Sequence, residues 1–102
     1  MNFTAVLYSL VLTSTLAHAG GDPQLGQLKA PSCVFCHGQN GISDNPAYPH
    51  LQGQNEQYLY QAMKAYQDGQ RIGPMAQMMR DQLRQLNDED LRDVAAFFAT
   101  QE

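Results

Sequence analysis

The sequence predicts a single all-α domain, and two observations carry that prediction. Three stretches place apolar residues at helical spacing behind residues that favour helix starts. No stretch alternates apolar and polar residues as a half-buried strand would. The chain has 102 residues, which is enough for one small domain. We assign residues 20–102 to that domain, because residues 1–19 differ in composition.

The first predicted helix begins at Asp22 and Pro23, because Asp caps helix starts and Pro is tolerated in the first turn. It continues towards a pair of cysteines. Pro31 should bend or end it, since proline cannot donate the helical hydrogen bond. A glycine-containing loop is expected over residues 38–53.

The second predicted helix opens at Asn55, with Glu56 in its first turn. Its apolar residues recur at helical spacing, and Gly69 provides a natural stop. They are Tyr58, Leu59, Ala62, Met63 and Tyr66.

The third predicted helix is capped by Asn87, and the acidic residues 88–90 suit the positive end of the helix dipole. We therefore interpret that acidic run as a helix start and not as a metal site. The apolar face of this helix consists of Leu91, Val94, Ala95 and Phe98, with Phe97 beside it.

Residues 1–19 have the features of a cleaved export signal. No side chain between Phe3 and Leu16 is charged, and Ala17-His18-Ala19 is a pattern that signal peptidase cuts. The apolar run is shorter than the roughly 20 residues of a membrane span. The Lys or Arg that usually opens such a signal is missing. We expect cleavage after Ala19, a periplasmic location and no stable membrane insertion afterwards; an uncleaved anchor is the alternative.

The charge distribution argues against a nucleic-acid partner. The net charge is −4, and the six Lys and Arg residues form no cluster. The domain is also small, and domains of this size usually need a disulfide, a metal or a cofactor to complete the core.

The segment Cys33-Val34-Phe35-Cys36-His37 has the C-x-x-C-H spacing of haem c attachment. Two cysteines at this spacing can form thioethers with the two vinyl groups along one edge of the porphyrin. His37 then lies below the metal and can place an imidazole nitrogen on iron. One covalent haem would also fill the core of this small domain.

Three other interpretations of the cysteine pair are weaker. A thioredoxin-like redox pair needs neighbouring strands, which the sequence lacks. A zinc site needs a second Cys or His pair, yet the only other histidines are His18 and His50. A plain disulfide would not require His37.

The function of such a haem depends on whether iron has a second protein ligand. Met63 lies on an apolar helical stripe and is interpreted as packing. Gly73-Pro74 predicts a loop between the second and third helices, and one methionine of that loop is expected to bind iron. The candidates are Met75, Met78 and Met79. His50 is the rival ligand; otherwise it is an exposed or propionate-side histidine.

Four further segments accompany the attachment motif: residues 48–54, 68–71, 86–90 and 94–98. With them, nearly all of residues 20–102 resembles the class I c-type cytochromes. The resemblance is to the small bacterial periplasmic cytochromes whose domain also occurs doubled in di-haem proteins. It implies a small cytochrome c fold, with three main helices wrapped around one covalently attached haem.

The resemblance also implies roles for residues near the iron. The carbonyl of Pro49 would accept the proton of the second ring nitrogen of His37. The axial methionine of the family stands about seven residues before the leucine that precedes the last helix. Here that leucine is Leu86, which selects Met79; Met78 and Met75 are the alternatives.

Other matched positions concern the haem periphery and the helix crossing. Leu51 would pack on the haem, and Arg71 would face a propionate. Gly26 and Phe97 match the close crossing of the first and last helices. Position 50 often carries Lys or Arg in the family, so His50 is a departure.

These features predict a periplasmic one-electron carrier with His37 and Met79 as axial ligands, and no enzymatic activity. Its partners would be redox proteins, a donor and an acceptor, and the protein itself a monomer. The first alternative is a haem subunit docked on a larger oxidoreductase. The second is a gas sensor or peroxidase with an open sixth position.

Overall fold

The computed structural model describes residues 1–12 and 20–102, and four of its five helices line one cavity. They are α1 (Pro23–Lys29), α2 (Pro31–His37), α3 (Glu56–Gln67), α4 (Pro74–Leu83) and α5 (Asp88–Ala99). The described residues contain no strand, and the prediction of an all-α domain is confirmed.

The expected signal-peptide cleavage site, Ala17 to Ala19, lies outside the described residues. Residues 1–12 are exposed and form neither helix nor strand. Within the described ranges, no helix is long and apolar enough to cross a membrane.

Proline positions explain the two helices beyond the three predicted. Pro31 ends α1 and stands in the first turn of α2, as its effect on the first helix predicted. The prediction of a loop after Gly73 and Pro74 is wrong, because this segment forms α4. Pro74 has a φ suited to a first helical turn, and the methionines and glutamine that follow are good helix formers.

The ends of α3 and α5 follow their sequence signals. The Asn55 side chain accepts from the Tyr58 N–H at 2.9 Å. Asn87 and Asp90 form a reciprocal capping box at 2.8 and 3.0 Å. Gly69 adopts the left-handed conformation, with φ +72°, that ends α3.

Helix α5 forms the centre of the fold and packs on α1 and α3. Its Leu91, Val94, Ala95 and Phe98 side chains are buried. The predicted close crossing of α1 and α5 is confirmed at Gly26. A Cβ there would lie 1.9 Å from the Asp93 carbonyl oxygen and 2.8 Å from the Phe97 Cβ.

A buried carboxylate joins α1 to α5 beside that crossing. Asp93, only 3% exposed, accepts from the Asp22 N–H at 2.8 Å and from Lys29 Nζ at 2.6 Å. Lys29 also pairs with Asp90 at 2.8 Å. Burial tends to raise the pKa of Asp93, but the hydrogen bonds from Asp22 and Lys29 outweigh it and lower the pKa. This contact therefore stabilises the folded state only while Asp93 is ionised.

Candidate functional site

A cavity of about 570 Å³ lies among α2, α3, α4 and α5. This volume falls in the range of about 300–1,000 Å³ that is typical of small-molecule and cofactor sites. Its surface is mostly apolar, and several of its walls are the buried side chains of the core. They are Leu59, Leu83, Val94, Ala95 and Phe98. A ligand in this cavity would therefore complete the hydrophobic core.

The C-x-x-C-H motif lies on the short helix α2 at one side of this cavity. Cys33, Cys36 and His37 all line the cavity, and both thiols are free. Burial is the main cause that raises the pKa of the Cys33 thiol. Helical geometry places Cys33, Cys36 and His37 within about one turn, so that they share one face of α2.

The ring of His37 is oriented by the backbone of the following loop. Nδ1 of this buried histidine lies 2.8 Å from the Pro49 carbonyl oxygen. A carbonyl can only accept, so Nδ1 carries the proton and Nε2 keeps a lone pair for a metal. The loop is closed beside this contact, because the Leu51 and Gln52 N–H groups donate to the Gly41 oxygen at 2.7 and 3.0 Å.

The three candidate methionines of α4 lie on one face of that helix and all line the cavity. Met75, Met78 and Met79 stand at positions i, i+3 and i+4, and Gln82 and Leu83 extend the same face. Met75 is 46% exposed, whereas Met78 and Met79 are half-buried. Met63, interpreted as packing, contacts the core and also lines the cavity.

The remaining predicted site residues lie around the cavity. Leu51 packs against the core, while His50 and Arg71 are exposed at the lining. Arg71 donates to the Tyr66 hydroxyl at 3.0 Å and lies 4.7 Å from the centroid of that ring. The structure brings all seven residues predicted for cofactor binding to this one cavity. They are Cys33, Cys36, His37, Pro49, Leu51, Arg71 and Met79.

The sequence does not assign several lining residues to the site, although the apolar spacing in α3 marks three of them. Tyr58, Ala62 and Tyr66 were interpreted as the apolar face of a helix, and that face borders the cavity. Outside the lining, Ser43 contacts a lining residue that the sequence did not connect to it, because its N–H donates to His50 Nδ1 at 2.9 Å. No local pattern predicts this contact, because it depends on the path of the loop.

The donor set of the cavity fits haem. Two free thiols stand three residues apart beside an imidazole whose Nε2 is available, and thioethers line the same apolar space. This combination suits a covalently attached porphyrin whose iron takes nitrogen and sulfur ligands. Fold and site together define a c-type cytochrome.

Comparison with known proteins identifies the family. The cytochrome c family model matches residues 24–102, and the chain belongs to the cytochrome c family. It is a class I c-type cytochrome, similar to one domain of the di-haem cytochromes c4. This family carries covalently bound haem c, and the two cysteines fit its attachment motif.

Three similar proteins show how much of the chain this relation covers. Cytochrome c-554(548) of Halomonas halodenitrificans is 45% identical over 82 residues, which are 80% of this chain and 99% of that protein. Cytochrome c4 of Pseudomonas aeruginosa is 46% identical over 94% of this chain but only 48% of its own length. The structure of thiosulfate dehydrogenase from Marichromatium purpuratum matches with a TM-score of 0.74 and 32% identity, over 84% of this chain and 20% of that one.

Proposed function

We propose that this protein is a periplasmic one-electron carrier with His37 and Met79 as the axial ligands of its haem iron. Residues 1–19 would be removed during export, with cleavage after Ala19, and residues 20–102 would form the functional domain. The observation that carries the proposal is the shared cavity. An imidazole with a free Nε2 on α2 and a row of thioethers on α4 line the same apolar space.

Helical geometry narrows the choice of methionine. Met75 and Met79 stand about 6 Å apart along α4, at roughly 1.5 Å per residue, so they cannot occupy the same position at iron. Met75 is also the most exposed of the three. The half-buried Met78 and Met79 differ by about 100° around the helix. We favour Met79 because of its spacing from Leu86.

When bound, haem supplies a reversible one-electron change at its iron. The chain keeps the surroundings of the iron constant during that change. Pro49 holds the His37 ring through Nδ1, and buried apolar residues of α3 and α5 form walls of the cavity. Leu51 would contact the porphyrin, and Arg71 would face a propionate. Two constant iron ligands and a mostly apolar cavity favour electron transfer over ligand binding.

Optical spectra of the mature holoprotein test this assignment. We expect a sharp low-spin reduced spectrum, a far-red sulfur-to-iron band in the oxidised form, and no response of the reduced form to carbon monoxide. A high-spin spectrum that carbon monoxide shifts would instead support a gas sensor or peroxidase.

Substitutions on α4 identify the sulfur ligand. Met79→Ala should abolish the far-red band, whereas the matched variants Met78→Ala and Met75→Ala should retain it. Loss of the band in either of those variants alone would transfer the ligand to that position.

A second candidate function is a haem subunit of a larger oxidoreductase. The similarity to one fifth of a thiosulfate dehydrogenase chain favours it. So does the apolar rim of the cavity, where Phe35 is 89% exposed and Met75 46%. The oligomeric state and composition of the mature holoprotein, measured by sedimentation of the protein as purified, distinguish the two functions. A monomer that exchanges electrons with soluble redox proteins supports the free carrier, whereas co-purification with a fixed catalytic chain supports the subunit.

A further inference from the structure

Residues 20–22 form a short segment that lies against α3 and α5 before α1 begins. The Gly21 N–H donates to Glu56 Oε1 at 3.1 Å, and the Asp22 N–H donates to Asp93 Oδ1 at 2.8 Å. Two successive backbone groups are thus bound by carboxylates of two different helices. These carboxylates lie 35 and 71 residues away in the sequence, so the segment is held by the tertiary fold.

The glycines of this segment allow a close approach to both helices. A Cβ at Gly21 would lie 1.9 Å from the Arg92 carbonyl oxygen, which leaves no room for a side chain. A Cβ at Gly20 would lie 2.9 Å from Glu56 Oε1. The Cβ and the backbone nitrogen of a residue are both bonded to Cα and lie about 2.5 Å apart. The Gly20 nitrogen is therefore at most about 5.4 Å from this carboxylate oxygen.

The Glu56 carboxylate has acceptor capacity and charge that the described residues do not use. This half-buried side chain stands in the first turn of α3, and both of its oxygens lie within 3.5 Å of the Cβ position of Gly20. Within residues 1–12 and 20–102, the Gly21 N–H is its one hydrogen-bond donor, and no Lys, Arg or His forms an ion pair with it. An ionised carboxylate can accept about four hydrogen bonds.

The other charged groups near Gly20 already have partners. Arg92 and Asp93 of α5 each take part in an ion pair, at 2.9 and 2.6 Å. The Asp22 side chain accepts from two N–H groups at the start of α1. In the part of the chain that the structure describes, Glu56 is therefore the acid of this junction without a cation.

We infer that Glu56 is the binding site for the amino terminus that export creates at Gly20. The inference rests on the proposed cleavage after Ala19. In the uncut chain the Gly20 nitrogen is a neutral amide. Hydrolysis of that peptide bond consumes one water and leaves a carboxylate on Ala19 and an α-amino group on Gly20, which is mostly protonated at neutral pH. The resulting ammonium forms an ion pair with Glu56 and ties the start of the domain to α3.

The ion pair depends on the exact position of the cut. One additional residue before Gly20 would move the ammonium by up to about 3.6 Å and leave an amide in its place. Removal of the leader directly before Gly20 therefore adds a stabilising contact that a cut at a neighbouring bond does not add.

Thermal unfolding of four oxidised holoproteins measures the coupling between the ammonium and the carboxylate. They are the protein that begins at Gly20, its Glu56→Gln variant, and the same two proteins with one additional alanine before Gly20. Each is exported behind a leader whose cut is established. Glu56→Gln should lower Tm by roughly 2–8 °C when Gly20 is first, and by less than half as much behind the alanine. Glu89→Gln, which removes an exposed acid from the first turn of α5, should have the same small effect in both backgrounds.

The pKa of the amino terminus is a readout that a merely structural role of Glu56 would not move. The carbon-13 shift of the Gly20 Cα, followed against pH by NMR of the reduced holoprotein, reports this pKa. A nearby carboxylate favours the ammonium, so we expect a pKa above that of an ordinary α-amino group and a return towards it in Glu56→Gln. The contact is then complete below the ordinary pKa and is lost as the pH rises through the raised value.

The intact mass of the protein exported with its own leader separates the two ways in which the inference can fail. A first residue other than Gly20 would refute the proposed cleavage, and with it the binding of the natural amino terminus. A first residue of Gly20 with an ordinary α-amino pKa, or with equal Tm losses for Glu56→Gln in the two backgrounds, would refute the role of Glu56 alone. Both readouts keep their meaning if the iron has an open site.

Discussion

Substitution of Gly26 by alanine tests the packing on which the haem cavity depends. A Cβ at Gly26 would lie 1.9 Å from the Asp93 carbonyl oxygen, and ordinary contact begins at 3.4 Å. Helix α1 must therefore move away from α5 by about 1.5 Å, the difference of those two distances. Such a shift would also break the 2.8 Å hydrogen bond from the Asp22 N–H to the Asp93 carboxylate.

The forced helix shift and the broken hydrogen bond together determine how much Gly26→Ala lowers the free energy of unfolding. Overpacking of a core costs about 1–3 kcal/mol. Loss of a hydrogen bond to a charged group costs a further ~1.5–3 kcal/mol. Alanine recovers about 1 kcal/mol, because it forms helices better than glycine. We therefore expect Gly26→Ala to lower the free energy of unfolding by about 1.5–5 kcal/mol. This loss is a drop in Tm of roughly 6–40 °C for a domain of this size.

Thermal and denaturant unfolding of the oxidised holoprotein, followed by far-ultraviolet circular dichroism and haem absorbance, measures this change. Gln24→Ala is the matched control, because Gln24 is an exposed residue of the same short helix. A Gly26→Ala protein within about 1 kcal/mol of the parent would refute the reasoning, since that difference is within the helix-propensity gain alone. In a double-mutant cycle with Asp93→Ala, the two losses should be less than additive, because both remove the bond to Asp22.

Three other perturbations have expected outcomes. Phe98→Ala should lower the free energy of unfolding by about 3–5 kcal/mol, since Phe98 is 2% exposed in the core, whereas Phe35→Ala, at 89% exposure, should change it by no more than about 0.5 kcal/mol. Asn87→Ala removes the cap of α5 and should cost about 1 kcal/mol in urea unfolding, against no change for the exposed neighbour Gln85→Ala. The lowered pKa of Asp93 means that its contribution is complete above its usual pKa of 3.8 and is lost as the pH falls through the lower folded-state value. Unfolding measured from pH 6 downwards should show stability falling below about pH 4, and Asp93→Asn should make that dependence less steep.

The helices that could be predicted are those whose ends carry local signals. Asn87 and the acids after it start α5, and Asn55 and Gly69 bound α3 closely. The sequence does not predict helix α4, because Gly73-Pro74 is typical of the opening of a loop, although proline is equally a residue of first helical turns. The same prediction places the three methionines in a loop, whereas the structure places them on one face of a helix.

Some features of the site depend on neighbouring residues in the sequence, and others depend on the path of the folded chain. The cysteine pair and His37 lie in five consecutive residues, so their spacing alone identifies the attachment chemistry. The contact between Ser43 and His50 joins residues seven positions apart through a turn, and no periodicity encodes it. Local sequence can therefore name the atoms that hold the haem, but not the backbone groups that orient them.

Backbone groups, and not side chains, orient the rings of both His37 and His50. Every residue has a backbone carbonyl, and every residue except proline has an N–H. Non-proline substitutions of residues 38–53 other than His50 should therefore leave both tautomers intact while the loop path is kept. The path itself depends on Gly38 and Gly41, which adopt φ of +91° and +76°. A Cβ at Gly38 would lie 1.8 Å from the Ile42 carbonyl oxygen, so that side chains are excluded there. Substitutions at the glycines of this loop should therefore perturb His37, the proposed iron ligand, more than substitutions at its exposed polar residues.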